Sequence, residues 1–95
     1  MYYLLLYDYV EDVIRRRAPF REAHLAHIQR YLDRGELVLG GAFDNPVNGA
    51  ALAFRTSDRT VVETFARNDP YVGNGIVTAW RVKDWNVVVG TAHEA

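Results

Sequence analysis

The residues best suited to chemistry in this chain are two histidines three apart in AHLAHI, His24 and His27, and an aspartate ahead of a proline, Asp69. An imidazole takes up or gives up a proton near neutral pH, and it serves as a general base when a partner fixes which ring nitrogen carries the hydrogen. On a helical wheel at 100° per residue, His24 falls about 65° from the centre of an apolar stripe formed by Leu25, Ile28 and Leu32, which places it at a core margin. His27 falls roughly twice as far round, on the solvent side. The alternative for His24 is a core-edge histidine bonded to a backbone carbonyl, with no part in chemistry.

Asp69 stands where a helix should end, and there the helix dipole disfavours a carboxylate by about 0.3 to 1 kcal/mol. It is either a turn residue before Pro70 or a carboxylate held to meet a cation or an imidazole. Paired with His24 it would orient a base, and no Ser or Cys nucleophile would be needed. Arg17, His24 and Tyr31 are spaced by seven, so a helix reaching back to Arg17 would align them along one edge with ~20° of drift per step. Such an edge could line a pocket. Arg17 or Arg21 could then hold a substrate carboxylate or enolate through a planar fork, the alternative being a solvated cluster with Arg15 and Arg16. Gly40 and Gly41 fall within a strand-like run, where a missing side chain signals a bulge or close approach of a ligand.

No dedicated metal site is expected. His24 and His27 lack a third ligand at matching spacing, and His93 lies in a tail. GGAFDN and GNG have neither the glycine spacing nor the lysine of a phosphate loop, so no nucleotide is implied.

The elements that must position these residues follow from pattern. Residues 1–9 read as a strand with two apolar faces, Leu4 and Leu6 on one and Tyr3, Leu5, Tyr7 and Tyr9 on the other. VEDVIRRR could hold a helical turn. Pro19 suits the start and Gly35 the cap of a helix over 19–34, with Leu25, Ile28 and Leu32 as its core stripe. ELVLGGAF and GAALAFRT flank the turn residues DNPVN and predict a hairpin over 36–56. Asp58 is a suitable N-cap for a helix over 58–68, followed by a glycine-bearing loop, YVGNG. A terminal strand region spans 76–89, with Trp85 to Val89 as a short fifth strand or a reach towards a partner.

The order βαββαβ with short connections predicts an α+β, ferredoxin-like arrangement: an antiparallel sheet with both helices on one face. The other face is then bare, and a second copy of the sheet is its economical cover, which predicts a homodimer. Pairing is also expected to close a cavity beside the first helix. The 95 residues fit one domain, 1–95, and carry no Cys, so no disulfide framework or thiolate metal site exists and the cytoplasm is the expected compartment. A formal net charge of -1 provides no field for nucleic acid. The apolar opening run is too short to cross a bilayer and has no basic leader.

YYLLLYDY, RAPFREAHLAHI, LVLGGAF and NDPY, followed by an aromatic-rich last strand, together resemble the YCII-related (YciI-like) domain family over nearly the whole chain. The resemblance implies the dimeric α/β-barrel superfamily and an active site of His24 and Asp69. Arg17, Tyr31, Gly41 and Tyr71 are the expected substrate contacts. Members of that superfamily that look similar include lactone isomerases and dehydrohalogenating lyases, which move a proton beside a carbonyl without a cofactor. The leading expectation is a small cofactor-independent lyase or isomerase acting on a small, cyclic or aromatic substrate. The alternatives are a non-catalytic metabolite-binding or assembly module, and a cofactor-free oxygenase. Where the family often has Gly-Pro at the end of the second strand, this chain has Gly41-Ala42.

Overall fold

The computed structural model describes residues 1–90. The chain runs β1 (Tyr2–Tyr9), α1 (Val13–Arg17), a 3-10 turn (Ala18–Phe20), α2 (Arg21–Asp33), β2 (Leu37–Ala42), β3 (Gly49–Arg55), α3 (Arg59–Asn68), α4 (Pro70–Gly73) and β4 (Val77–Trp85). The strands form one antiparallel sheet in the order β2-β3-β1-β4, with β1 paired to β3 on one side and β4 on the other. This is the ferredoxin-like α+β fold, with the helices packed on one face.

The alternation of β1 decides which face the helices cover. Tyr3, Leu5 and Tyr7 are buried, while Leu4 and Leu6 on the opposite face are only partly so. Register extends that division across the sheet: Leu5 lies opposite Leu52 and Val82, and Leu6 opposite Ala51 and Arg81. Phe54, Val62 and Phe65 are fully buried with Leu5 and make the centre of the core. Burying each such side chain contributes on the order of 1.5 to 3 kcal/mol.

Local chemistry accounts for the element ends. Gly35 adopts φ +74 and its N–H donates to the Leu32 carbonyl, while the Glu36 N–H donates to Tyr31, a Schellman cap that closes α2. The Asp58 side chain accepts from the Thr60 N–H at 2.9 Å and starts α3.

The structure departs from the pattern in five places. The helix expected over 19–34 opens with a separate 3-10 turn, because the ring of Pro19 suits a first turn but supplies no N–H to continue one. The bulge in β2 lies between Leu37 and Leu39 and not at Gly40 or Gly41. The expected YVGNG loop is helical over its first three residues, which end α4, with Asp69 as its N-cap and Pro70 its first residue, and only Asn74 and Gly75 remain as a turn. The strand region expected over 76–89 stops at Trp85, and Val88 and Val89 lie exposed beyond it with no fifth strand among the described residues. His93 lies outside those residues.

The largest difference concerns α2. Leu25 and Leu32 are 47% and 40% exposed, and the residues that face the core are His24, His27 and Tyr31. Both sets have i, i+3, i+7 spacing and differ by one residue, or ~100° of rotation. The polar stripe is the one that packs inward, because each of its rings finds a partner there.

Candidate active site

His24 donates no hydrogen to solvent on its inner side. Its Nδ1 lies 2.8 Å from Asp69 Oδ1, with both side chains buried. Asp69 Oδ1 also accepts the Tyr71 backbone N–H at 2.9 Å, and Oδ2 accepts the Tyr7 hydroxyl at 2.8 Å. Each oxygen thus already accepts a hydrogen, one from a backbone amide and one from a phenol, so the carboxylate meets the neutral ring as an acceptor and the hydrogen between it and His24 belongs to Nδ1. The lone pair of the neutral imidazole is then on Nε2, which makes no hydrogen bond to a described residue.

The position of Asp69 follows from two helices meeting. It ends α3, as the sequence implies, but it also caps α4, with the Val72 and Gly73 amides donating to its carbonyl at 2.9 and 3.1 Å. The Tyr71 amide, at the start of α4, therefore receives the carboxylate that the end of α3 would disfavour. Burial, and then the Asp69 charge, pushes the Tyr7 phenol well above its ordinary range, so Tyr7 keeps its hydrogen and donates it.

The Tyr71 ring stacks on the His24 ring at 3.7 Å between centroids and 6° between planes. His24, held on one side by Asp69 and on its face by Tyr71, has little freedom to turn. It forms part of the wall of a cavity of about 340 Å³ between α2 and the helix-bearing face of the sheet. Arg17, Gly41 and Tyr71 line this cavity, as does Arg21. The leucines and isoleucine of α2 that the pattern assigned to the core form its apolar side, opposite Leu37 and Leu52.

Tyr31 is not at the cavity. Its ring packs edge-on against Phe54 and Phe65, because the inward rotation of α2 carries it into the core. His27 is likewise buried and not solvent-facing: its Nε2–H donates to the Phe65 carbonyl at 2.9 Å and its ring stacks on Phe65. The carbonyl-bonded role that the sequence offered His24 is thus filled by His27. Nor does the bare sheet face wall the cavity, which lies on the side of the helices, so a copy packed on Leu4 and Leu6 would not close it.

Sequence reasoning missed Tyr7 and Tyr9. In the strand pattern Tyr7 is one more residue of an apolar or aromatic face, yet its phenol is the second support of Asp69. Both sit on the same face of β1 as Leu5, and a buried tyrosine needs a hydrogen-bond partner, which was the available signal. Among the described residues no group of three His, Cys, Asp or Glu side chains could hold a metal ion, and no helix is long and apolar enough to cross a membrane.

Residues 1–86 match the YCII-related domain. The chain belongs to the YCII-related family. Among solved structures, the fold of this YCII-related chain is similar to that of a 5-chloro-2-hydroxyhydroquinone dehydrochlorinase (TftG) from Burkholderia phenoliruptrix, solved with 2,5-dihydroxybenzoquinone. The TM-score is 0.76 at 22% identity, over 90% of this chain and 94% of that one. Protein Atu4242 from Agrobacterium tumefaciens is similar at a TM-score of 0.55 and 17% identity, over 87% of this chain and 89% of that one. No curated protein sequence matches. At these identities the likeness is one of fold.

Proposed function

We propose that this YCII-related chain is a small enzyme of lyase or isomerase type, in which His24 is the general base and Asp69 orients it. The observation that carries the reading is the geometry of the pair: Nδ1 is fixed on Asp69 at 2.8 Å, which leaves Nε2 as the basic atom on a residue of the cavity wall. The fold is shared with a dehydrochlorinase solved with a cyclic ligand, which supports a small cyclic or aromatic substrate.

His24 Nε2 would remove a proton from a carbon beside a carbonyl, and the electron pair of the C–H bond would pass to the carbonyl oxygen as an enolate. Arg17 would stabilise that oxygen. The imidazolium so formed stays bonded to the Asp69 carboxylate, a charge-assisted contact. In an isomerisation the proton returns to another carbon. In an elimination the enolate collapses with departure of an anionic leaving group, and the proton leaves to water. Apart from the water that takes the proton in the elimination, these steps use only groups of the chain and substrate.

The bare face of the sheet carries Leu4, Leu6, Ala51 and Ala53, with Leu39 70% exposed beside them. A second copy applied face to face would cover this patch, and the proposed assembly is a homodimer with one cavity per chain.

The reading is tested by deuterium exchange at the activated carbon of a panel of cyclic ketones and lactones in heavy water, followed by proton NMR. The parent should accelerate exchange of at least one member, and His24→Ala should lose at least about 100-fold of that acceleration, the lower end of general-base contributions. Equal exchange by parent and variant would sink the proposal and leave a binding module.

A further inference from the structure

Tyr9, Tyr71 and Arg21 gather with Arg17 at one end of the cavity, and of the four the proton transfer uses Arg17 alone. Tyr71 is 1% exposed, yet its hydroxyl completes no hydrogen bond. Burial raises both the Tyr71 and Tyr9 phenols, and Arg17 and Arg21 stand close enough to oppose that rise in both. Arg21 approaches the Tyr71 oxygen without closing a bond of good geometry.

A guanidinium offers only donors, so neither arginine can accept the Tyr71 hydrogen. The nearest carboxylate, Asp69, is already shared among Tyr7, His24 and the Tyr71 amide. Among the described residues neither Arg17 nor Arg21 has a carboxylate partner, and both line the cavity. Among the described residues, one end therefore holds two cations without a carboxylate partner and a buried hydroxyl hydrogen without an acceptor. The other side is hydrocarbon, from Leu25, Ile28, Leu32 and Leu37. Half-exposed leucines on a cavity wall are suited to covering an apolar ring.

We infer that this end is an oxyanion cradle, in which Tyr71 donates to, and Arg21 with Arg17 neutralises, an ionised oxygen on a planar organic ligand whose carbon skeleton lies against the α2 leucines. The ligand class is a ring bearing either a phenolate- or enolate-type oxygen or a carboxylate. The inference deepens the proton-transfer reading, on which it rests only for placing the same ligand beside His24.

Three probes test it: 4-nitrophenol, whose ionised form is read by its visible absorbance; benzoate, which places the charge on a carboxylate; and 4-nitroanisole, of similar shape with no ionisable oxygen. The protein should bind 4-nitrophenolate or benzoate at least tenfold more tightly than 4-nitroanisole, and mixing should raise the ionised fraction of 4-nitrophenol at fixed pH. Which anion binds better distinguishes an enolate-type ligand from a carboxylate. Arg21→Gln should lower anion affinity at least tenfold, and Tyr71→Phe, which keeps the ring stacked on His24, should lower it severalfold with little change for 4-nitroanisole. Equal binding of charged and neutral probes, or anion affinity unchanged in both folded variants, would overturn the cradle. The two readings fail separately: exchange that is equal in the parent and in His24→Ala, with the parent's anion preference intact, overturns proton transfer alone.

Discussion

Tyr7 and His24 divide the Asp69 carboxylate between them, the phenol on Oδ2 and the imidazole on Oδ1, each at 2.8 Å. A strand residue from one end of the chain thus holds the carboxylate that orients a helical histidine. Tyr7→Phe removes one hydrogen bond to a buried charged acceptor and leaves the ring in place. It should cost about 1.5 to 3 kcal/mol of stability by urea denaturation. Exchange catalysed by His24 should also fall, since Asp69 gains freedom to turn.

Much of this arrangement is legible in the residues. The two-faced β1, the Gly35 cap, the Asp58 cap and the βαββαβ order all follow from local rules, and the structure has them. What misled was α2, where apolar spacing selects Leu25, Ile28 and Leu32. A helix beside a cavity can turn its apolar stripe towards the cavity and its aromatic and imidazole stripe towards the core, provided the polar atoms there are satisfied. His27 is satisfied by the Phe65 carbonyl and His24 by Asp69. No helical wheel shows those partners, which lie 38 and 45 residues away in the chain. Asp69 was ambiguous for a similar reason: the four-residue α4 that it caps is too short to register as a periodic pattern.

The two histidines should separate experimentally. His27→Ala removes the donor to a buried carbonyl and should destabilise the fold by about 1 to 3 kcal/mol while leaving probe binding per folded molecule near that of the parent. His24→Ala should do the reverse in function and abolish exchange. A loss of exchange in both that exceeds any loss of folded protein would contradict the division of roles.

Gly49 faces Asp8 across the sheet, and a Cβ there would lie 2.5 Å from the Tyr7 carbonyl oxygen. The obstacle is backbone in the central strand and cannot swing aside. Gly49→Ala should therefore destabilise by at least about 1 to 3 kcal/mol, measured by thermal or urea melting. The open position Gly41, where a Cβ meets nothing within 4 Å, should tolerate alanine without such a loss.

Alkaline pH should weaken the fold. The phenols of Tyr7, Tyr9 and Tyr71 are all raised, with burial as the leading cause in each. A folded state that holds a proton more tightly than the unfolded chain has its full stability below the ordinary tyrosine value of 10.0 and loses it as pH rises beyond. Each tyrosine contributes a slope of at most about 1.4 kcal/mol per pH unit, and Tyr7→Phe should make the decline shallower. Urea midpoints measured on both sides of that pH check the sign.

The pairing of His24 with Asp69 is tested most directly by the nitrogen-15 shifts of the His24 ring, read through long-range proton correlations at a pH where the ring is neutral. The parent should show the hydrogen on Nδ1 and the lone pair on Nε2. Asp69→Ala removes the acceptor that holds the hydrogen on Nδ1 and should move the ring towards the opposite tautomer. A parent ring that already carries its hydrogen on Nε2, or a tautomer unmoved in a folded Asp69→Ala, would contradict the oriented base on which the proposed chemistry depends.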